Sequence, residues 1–122
     1  MKDSLFIRGK VPMTKAEVRA VSISKLELPP DAVVYDVGAG TGSVTIEMAL
    51  QLPQGTVYAI ERNSDAVDLL HQNCEKFGVS NVKIVPGLAP EAFEGLPVAT
   101  HAFLGGTGGR VEEILRQLLG KN

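Results

Sequence analysis

Short apolar runs alternate along this chain with longer segments in which apolar residues recur every three or four positions. The runs at 33–37, 56–61, 82–85 and 98–104 read as strands. They are close to continuous, which marks strands covered on both faces of a parallel sheet. The helical patterns between them are well punctuated. The first starts at Thr14, with Glu17 three residues on as a capping box, and turns Val18, Val21 and Leu26 to a core before Pro29-Pro30 end it. The second runs over 43–52 and stops at Pro53. The third takes Ser64 as its cap, sets Ala66, Leu70, Cys74 and Phe77 on one face, and ends at Gly78. A short helical turn starts near Ala89, since Pro90 suits a first helical position, and a last helix turns Val111, Ile114, Leu115 and Leu118 inward before Gly120. Strands alternating with helices predict an α/β fold, a parallel sheet with helices on both faces.

Length and composition narrow the function classes. A chain of 122 residues that is 44% hydrophobic folds as a single domain, 1–122, with a true core. A net charge of -2 and a pI near 5.6 argue against a nucleic-acid binder, which needs clustered Lys and Arg, and favour a small-molecule partner. No segment approaches the ~20 apolar residues that span a bilayer, and Met1-Lys2-Asp3-Ser4 lacks the build of a signal peptide, so no membrane association and a cytoplasmic location are expected. Cys74 has no companions at zinc spacing, so no metal is expected; it reads as a core residue, His71 as surface and His101 as a partly buried strand residue.

The chemistry gathers after the first strand. In Asp36-Val37-Gly38-Ala39-Gly40-Thr41-Gly42, glycines permit a turn too tight for side chains, so that peptide N–H groups can face a ligand. Glu61 closes the second strand, 23 residues beyond Gly38, where such sheets place an acid whose two oxygens accept both hydroxyls of a ribose; the alternative is a solvated strand end. Arg62 beside it raises the option of a ribose phosphate, which Glu61 would repel. Asp36 favours a cation at the loop, or else forms a turn by bonding nearby peptide N–H groups. The spacing G-x-G-x-G departs from the dinucleotide pattern G-x-G-x-x-G, so a nicotinamide enzyme is disfavoured.

This loop resembles the first motif of class I S-adenosylmethionine-dependent methyltransferases. Together with the segments 9–20, 86–93 and 103–109, it is similar to the decarboxylating precorrin methyltransferases of cobalamin biosynthesis. The resemblance implies a Rossmann-like three-layer sandwich with strand order 3-2-1-4. It also implies S-adenosylmethionine as cofactor, held by Asp36, Gly38, Ala39, Gly40, Thr41, Gly42, Glu61, Arg62, Leu88 and Ala89. The substrate implied is a precorrin-type tetrapyrrole, methylated at carbon 15 and decarboxylated at its ring C acetate. Lys10, Thr14, Lys15, Gly105, Gly106, Thr107 and Arg110 are candidate contacts to it, with Lys10, Lys15 and Arg110 facing its carboxylates and the glycines donating N–H groups. Relatives often carry Asp at the position of Leu88, so weaker cofactor binding is expected here, and often an acid at the position of His101. A full sheet of this class has about seven strands. The resemblance therefore covers roughly the first two-thirds of such a domain, and the chain is expected to be truncated. An open edge at the fourth strand would then favour a homo-oligomer. Two alternatives stay open: a class I methyltransferase with another small-molecule substrate, and a noncatalytic cofactor-binding fragment.

Overall fold

A computed structural model of the chain describes residues 1–106 and 109–120. Its elements run α1 (Ala16–Leu26), β1 (Val33–Val37), α2 (Ser43–Leu50), β2 (Thr56–Glu61), α3 (Ser64–Phe77), β3 (Val82–Pro86), β4 (His101–Leu104) and α4 (Val111–Gly120), with 3-10 turns at Asp3–Leu5 and Glu91–Phe93. The four strands pair in parallel in the order β3-β2-β1-β4. Register sets Val33 beside Thr56, Val34 beside His101 and Val57 beside Val82, so β1 and β2 lie between neighbours on both sides.

Alternation along β1 and β2 feeds two cores. Val34 and Val57 meet Ile23 of α1 and Val44 and Met48 of α2 on one face. Tyr35, Val37 and Ile60 meet Phe93 and Ile114 of α4 on the other. Residue pairs two apart share a face because successive strand side chains point oppositely, so one five-residue strand serves both layers. Tyr35 is fixed further by Phe93, 4.9 Å away, and donates its hydroxyl to the Pro97 carbonyl.

Several details of the sequence reading are corrected. No capping box forms at Thr14: α1 begins at Ala16, and its cap position, Lys15, makes no side-chain bond. Val18 and Val21 are more than half exposed, because α1 buries Arg19 and Ile23 instead. Arg19 tolerates this burial through the carbonyls of Met1 and Thr14, the carboxylates of Asp3 (2.6 Å) and Glu47 (3.3 Å), and the face of Phe6. The cap of α3 is Asn63, whose Oδ1 accepts the Ala66 N–H at 3.0 Å, while Gly78 closes the helix in the left-handed conformation as expected. β4 starts at His101; just before it the Thr100 hydroxyl accepts the Val33 N–H (2.9 Å) and the Thr100 N–H donates to the Val33 carbonyl (2.7 Å), and Val98 is half exposed. On α4, Ile114 is buried and Leu118 packs against the core, but Val111 and Leu115 are exposed. α2 ends at Leu50 before Pro53, and the Asn81 amide takes up the carbonyls of Ala49 (3.0 Å) and Leu52 (2.9 Å).

Candidate functional site

A cavity of about 930 Å³ opens at the carboxyl ends of β1 and β2, where parallel α/β sheets hold their ligands. Its floor is the loop after β1, and one wall is the end of β2 with the first turns of α3. A strap of chain before α1, Gly9 to Thr14, crosses opposite; Gly87 to Ala89 and Gly105-Gly106 complete the rim. Gly40 and Glu61 face this common space.

The loop differs from a cradle of free N–H groups. Gly38 and Ala39 donate to the Ile60 carbonyl (2.8 and 3.1 Å), Gly40 to Glu61 Oε1 (2.8 Å) and Gly42 to the Ala39 carbonyl (3.0 Å). The neighbouring strand ends on a carbonyl and a carboxylate, and these acceptors draw the donors inward. An anion such as a pyrophosphate would find these N–H groups already engaged. Gly42 does not line the cavity: a Cβ there would stand 2.2 Å from Leu70 Cδ1, so this glycine serves the packing of α3 behind the loop.

Glu61 is 9% exposed, and its second oxygen accepts the Asn63 N–H at 2.9 Å. Held from both sides, the carboxylate keeps lone pairs toward the cavity. Thr41 Oγ1 is buried without a hydrogen-bond partner. A hydroxyl left in that condition is costly unless a ligand bonds it. Acceptors thus dominate the site, with the orphaned Thr41 hydroxyl beside them, an arrangement suited to a ligand that brings hydroxyl and cationic donors.

Asp36 is 1% exposed in the cavity wall, and its Oδ2 accepts from the Thr45 hydroxyl at 2.5 Å. Burial pushes its carboxyl up to about 7; the Thr45 bond opposes this and the Glu61 charge adds to it. Asp36 is therefore a buried acid in the cavity wall, bonded to a helix hydroxyl. In the unfolded chain it ionises near 3.8, so its protonation stabilises the fold fully below about pH 4, and that contribution fades as pH rises toward 7. Urea unfolding should show stability falling by up to about 1.4 kcal/mol per pH unit across this window. Asp36→Asn should flatten that component; an unchanged profile would refute the assignment.

The remaining candidates separate. Ala39, Arg62, Leu88, Ala89, Lys10 and Thr14 line the cavity, Ala89 buried and Arg62 exposed. Lys15 does not line it. Arg110 also lies outside the lining and is engaged by Glu91 (2.8 and 2.5 Å) and Glu113 (3.1 and 2.7 Å), so its expected role toward a substrate carboxylate is not supported. Gly105 and Gly106 sit on the rim, yet both donate to the Val37 carbonyl (2.9 and 3.0 Å), which removes the expected N–H contacts to acid arms. Thr107 lies outside the described residues. Cys74 is half-buried and burial pushes its thiol up; His71 is exposed. Among the described residues no group of three or more His, Cys, Asp or Glu is placed to hold a metal ion, and no helix is long and apolar enough to cross a membrane.

Two residues escaped the sequence reading. Thr45 bonds Asp36, and Asn73, wholly buried on α3, bonds the Thr41 carbonyl at 2.9 Å. The signal for Asn73 was its spacing: it stands three residues beyond Leu70 and seven beyond Ala66, a polar side chain on the buried face.

Comparison with known proteins agrees with this arrangement. The family model described as a precorrin methyltransferase domain matches residues 5–121. The cobalt-precorrin-6B C(15)-methyltransferase (decarboxylating) of Salmonella typhimurium is 50% identical over 121 residues, taking in 98% of this chain and 62% of that protein. The crystal structure of precorrin-6y C5,15-methyltransferase from Geobacter metallireducens superposes with a TM-score of 0.95 at 40% identity, over 99% of this chain and 64% of the other. The precorrin 8w decarboxylase of Methanobacterium thermoautotrophicum gives a TM-score of 0.92 at 39% identity, over 99% of this chain and 66% of the other. The chain therefore spans less than two-thirds of the length of these relatives. The sheet order, the glycine loop and the match over nearly every residue together place this chain in the precorrin methyltransferase domain family.

Proposed function

We propose that this chain forms the S-adenosylmethionine-binding part of an enzyme that methylates carbon 15 of a precorrin-type tetrapyrrole and removes the carboxyl group of its ring C acetate. The observation that carries the cofactor reading is the clasp of Glu61 on Gly40 beside the orphaned hydroxyl of Thr41. Bound S-adenosylmethionine supplies a methyl group made electrophilic by its sulfonium. Glu61 accepts the two ribose hydroxyls, Asp36 in its ionised form offsets the positive charge, and the backbone of Leu88 and Ala89 borders the adenine, for which the Leu88 side chain has no acceptor. Gly40 lets the ligand approach the main chain, where a side chain would intrude, while Gly38 makes room for the backbone of Gly106.

On the substrate side, Lys10 supplies a positive charge and Thr14 a polar group from the strap, suited to a macrocycle bearing several carboxylates. Val11, Met13 and Phe103 give the cavity apolar patches. A carboxylate pressed against them loses water, which favours its departure as carbon dioxide when the ring system accepts the electrons. Calorimetry with S-adenosylhomocysteine tests the cofactor reading: saturable one-to-one binding, with no heat from NADH, is expected, and the reverse would overturn it. The outer edge of β4 pairs with no strand among the described residues. That same edge supports self-association; sedimentation should show dimers growing with concentration, and a monomer throughout would end this part of the proposal.

A further inference from the structure

Asn73 pairs with two segments far apart in sequence. Its Oδ1 accepts the Ile7 N–H at 2.7 Å, and its Nδ2 donates to the carbonyls of Ile7 (2.7 Å) and Thr41 (2.9 Å). One side chain thus meets both backbone polar groups of Ile7, two residues ahead of the strap, much as a neighbouring strand would. It also binds that residue to the carbonyl between Gly40 and Gly42, both left-handed. Beyond Ile7 the strap passes close over the loop: a Cβ on Gly40 would lie 3.5 Å from the Pro12 carbonyl and 3.9 Å from Val11. Arg19 anchors the far end through the Thr14 carbonyl. Between these anchors, the hydrogen bond found among the described residues is local, from the Val11 N–H to the Arg8 carbonyl at 3.0 Å.

We propose that Asn73 is a positioning residue that seats the strap on the glycine loop, so that the wall from Lys10 to Thr14 takes shape only with the loop in place. The two ligands so coupled are named by the functional reading above; the coupling itself stands on the geometry. A buried Leu at this position would leave the Thr41 carbonyl unpaired, and Asp would offer no donor to either carbonyl. Ordering of one segment therefore favours ordering of the other, and a ligand that fixes the loop also fixes the strap.

Asn73→Asp keeps the shape and the acceptor for Ile7 while removing both donors. Trypsin cleavage after Arg8 and Lys10, followed by mass spectrometry, should quicken about tenfold in the variant with cleavage after Lys25 unchanged. S-adenosylhomocysteine should slow cleavage of the strap in the wild type and fail to do so in the variant. Equal cleavage of the strap in both proteins overturns the proposal. So does acceleration at all sites alike with a lowered melting temperature, since that marks general loosening. Native-state hydrogen exchange on the unaltered chain needs no variant: the Ile7 amide should be protected, and an unprotected amide refutes the seat. Absence of S-adenosylhomocysteine binding to the wild type would defeat the functional reading alone, because cleavage of the ligand-free strap and protection of Ile7 still decide the role of Asn73.

Discussion

Glu61→Gln should weaken S-adenosylhomocysteine binding by about 100-fold. Both carboxylate oxygens already accept backbone N–H groups, from Gly40 at 2.8 Å and Asn63 at 2.9 Å, and the same oxygens face the cavity. An amide of identical shape has one acceptor, so its NH₂ must confront either Gly40 or Asn63, two donors face to face. The loop should loosen at Gly40, and under the proposed function one ribose hydroxyl should lose its partner. Hydrogen bonds to a charged group contribute about 1.5–3 kcal/mol each, and a net loss of about 3 kcal/mol corresponds to about two orders of magnitude in affinity. Glu61→Asp should fare little better, since a chain shorter by one methylene cannot span both N–H groups. Calorimetry decides: a dissociation constant within threefold of the wild type would return Glu61 to an ordinary strand end. An independent sign should accompany the loss. The Glu61 charge helps push the Asp36 carboxyl up, so its removal should draw the falling limb of the stability profile toward lower pH.

How far the sequence carried is clearest at individual residues. Val33 to Val37 and Thr56 to Glu61 were legible as strands because burial on both faces demands unbroken apolar runs, and the sheet order follows from the family resemblance. Glu61 was legible because its position at a strand end is set by topology. The inward face of α1 was not. Val18 and Val21 look like core by hydrophobicity, whereas Arg19 reads as surface until its partners, gathered from Met1, Asp3, Thr14 and Glu47, are present in space. The loop misled in a similar way: glycines announce that a main chain can be approached, but where its N–H groups point depends on the carbonyl of Ile60, which belongs to another strand. Gly105 and Gly106 repeat the lesson, their donors turned to Val37. Local pattern thus pointed to residues that line the cavity, and nonlocal hydrogen bonding decided its polarity.

Gly38→Ala is expected to destabilise the fold by about 3 kcal/mol, a large share of the 5–15 kcal/mol typical of a domain. Gly38 has φ +75, where a side chain is strained by about 1 kcal/mol. Its added Cβ would fall 2.5 Å from the nitrogen and oxygen of Gly106 and 2.6 Å from its Cα, contacts with main chain that no rotamer can relieve. The loop after β4 would have to withdraw, stretching the bonds of Gly105 and Gly106 to the Val37 carbonyl, each contributing about 1 kcal/mol. Gly78→Ala supplies the control: its φ of +63 imposes similar strain, but nothing lies within 4 Å of the new atom. That variant should lose only about 1 kcal/mol in urea unfolding. The difference between the two isolates the close approach of the loops that floor and rim the cavity; equal losses would mean that the approach contributes nothing. Because the displaced loop borders the side assigned to substrate, Gly38→Ala should also spoil the juncture between the two ligands, even at temperatures where the chain remains folded.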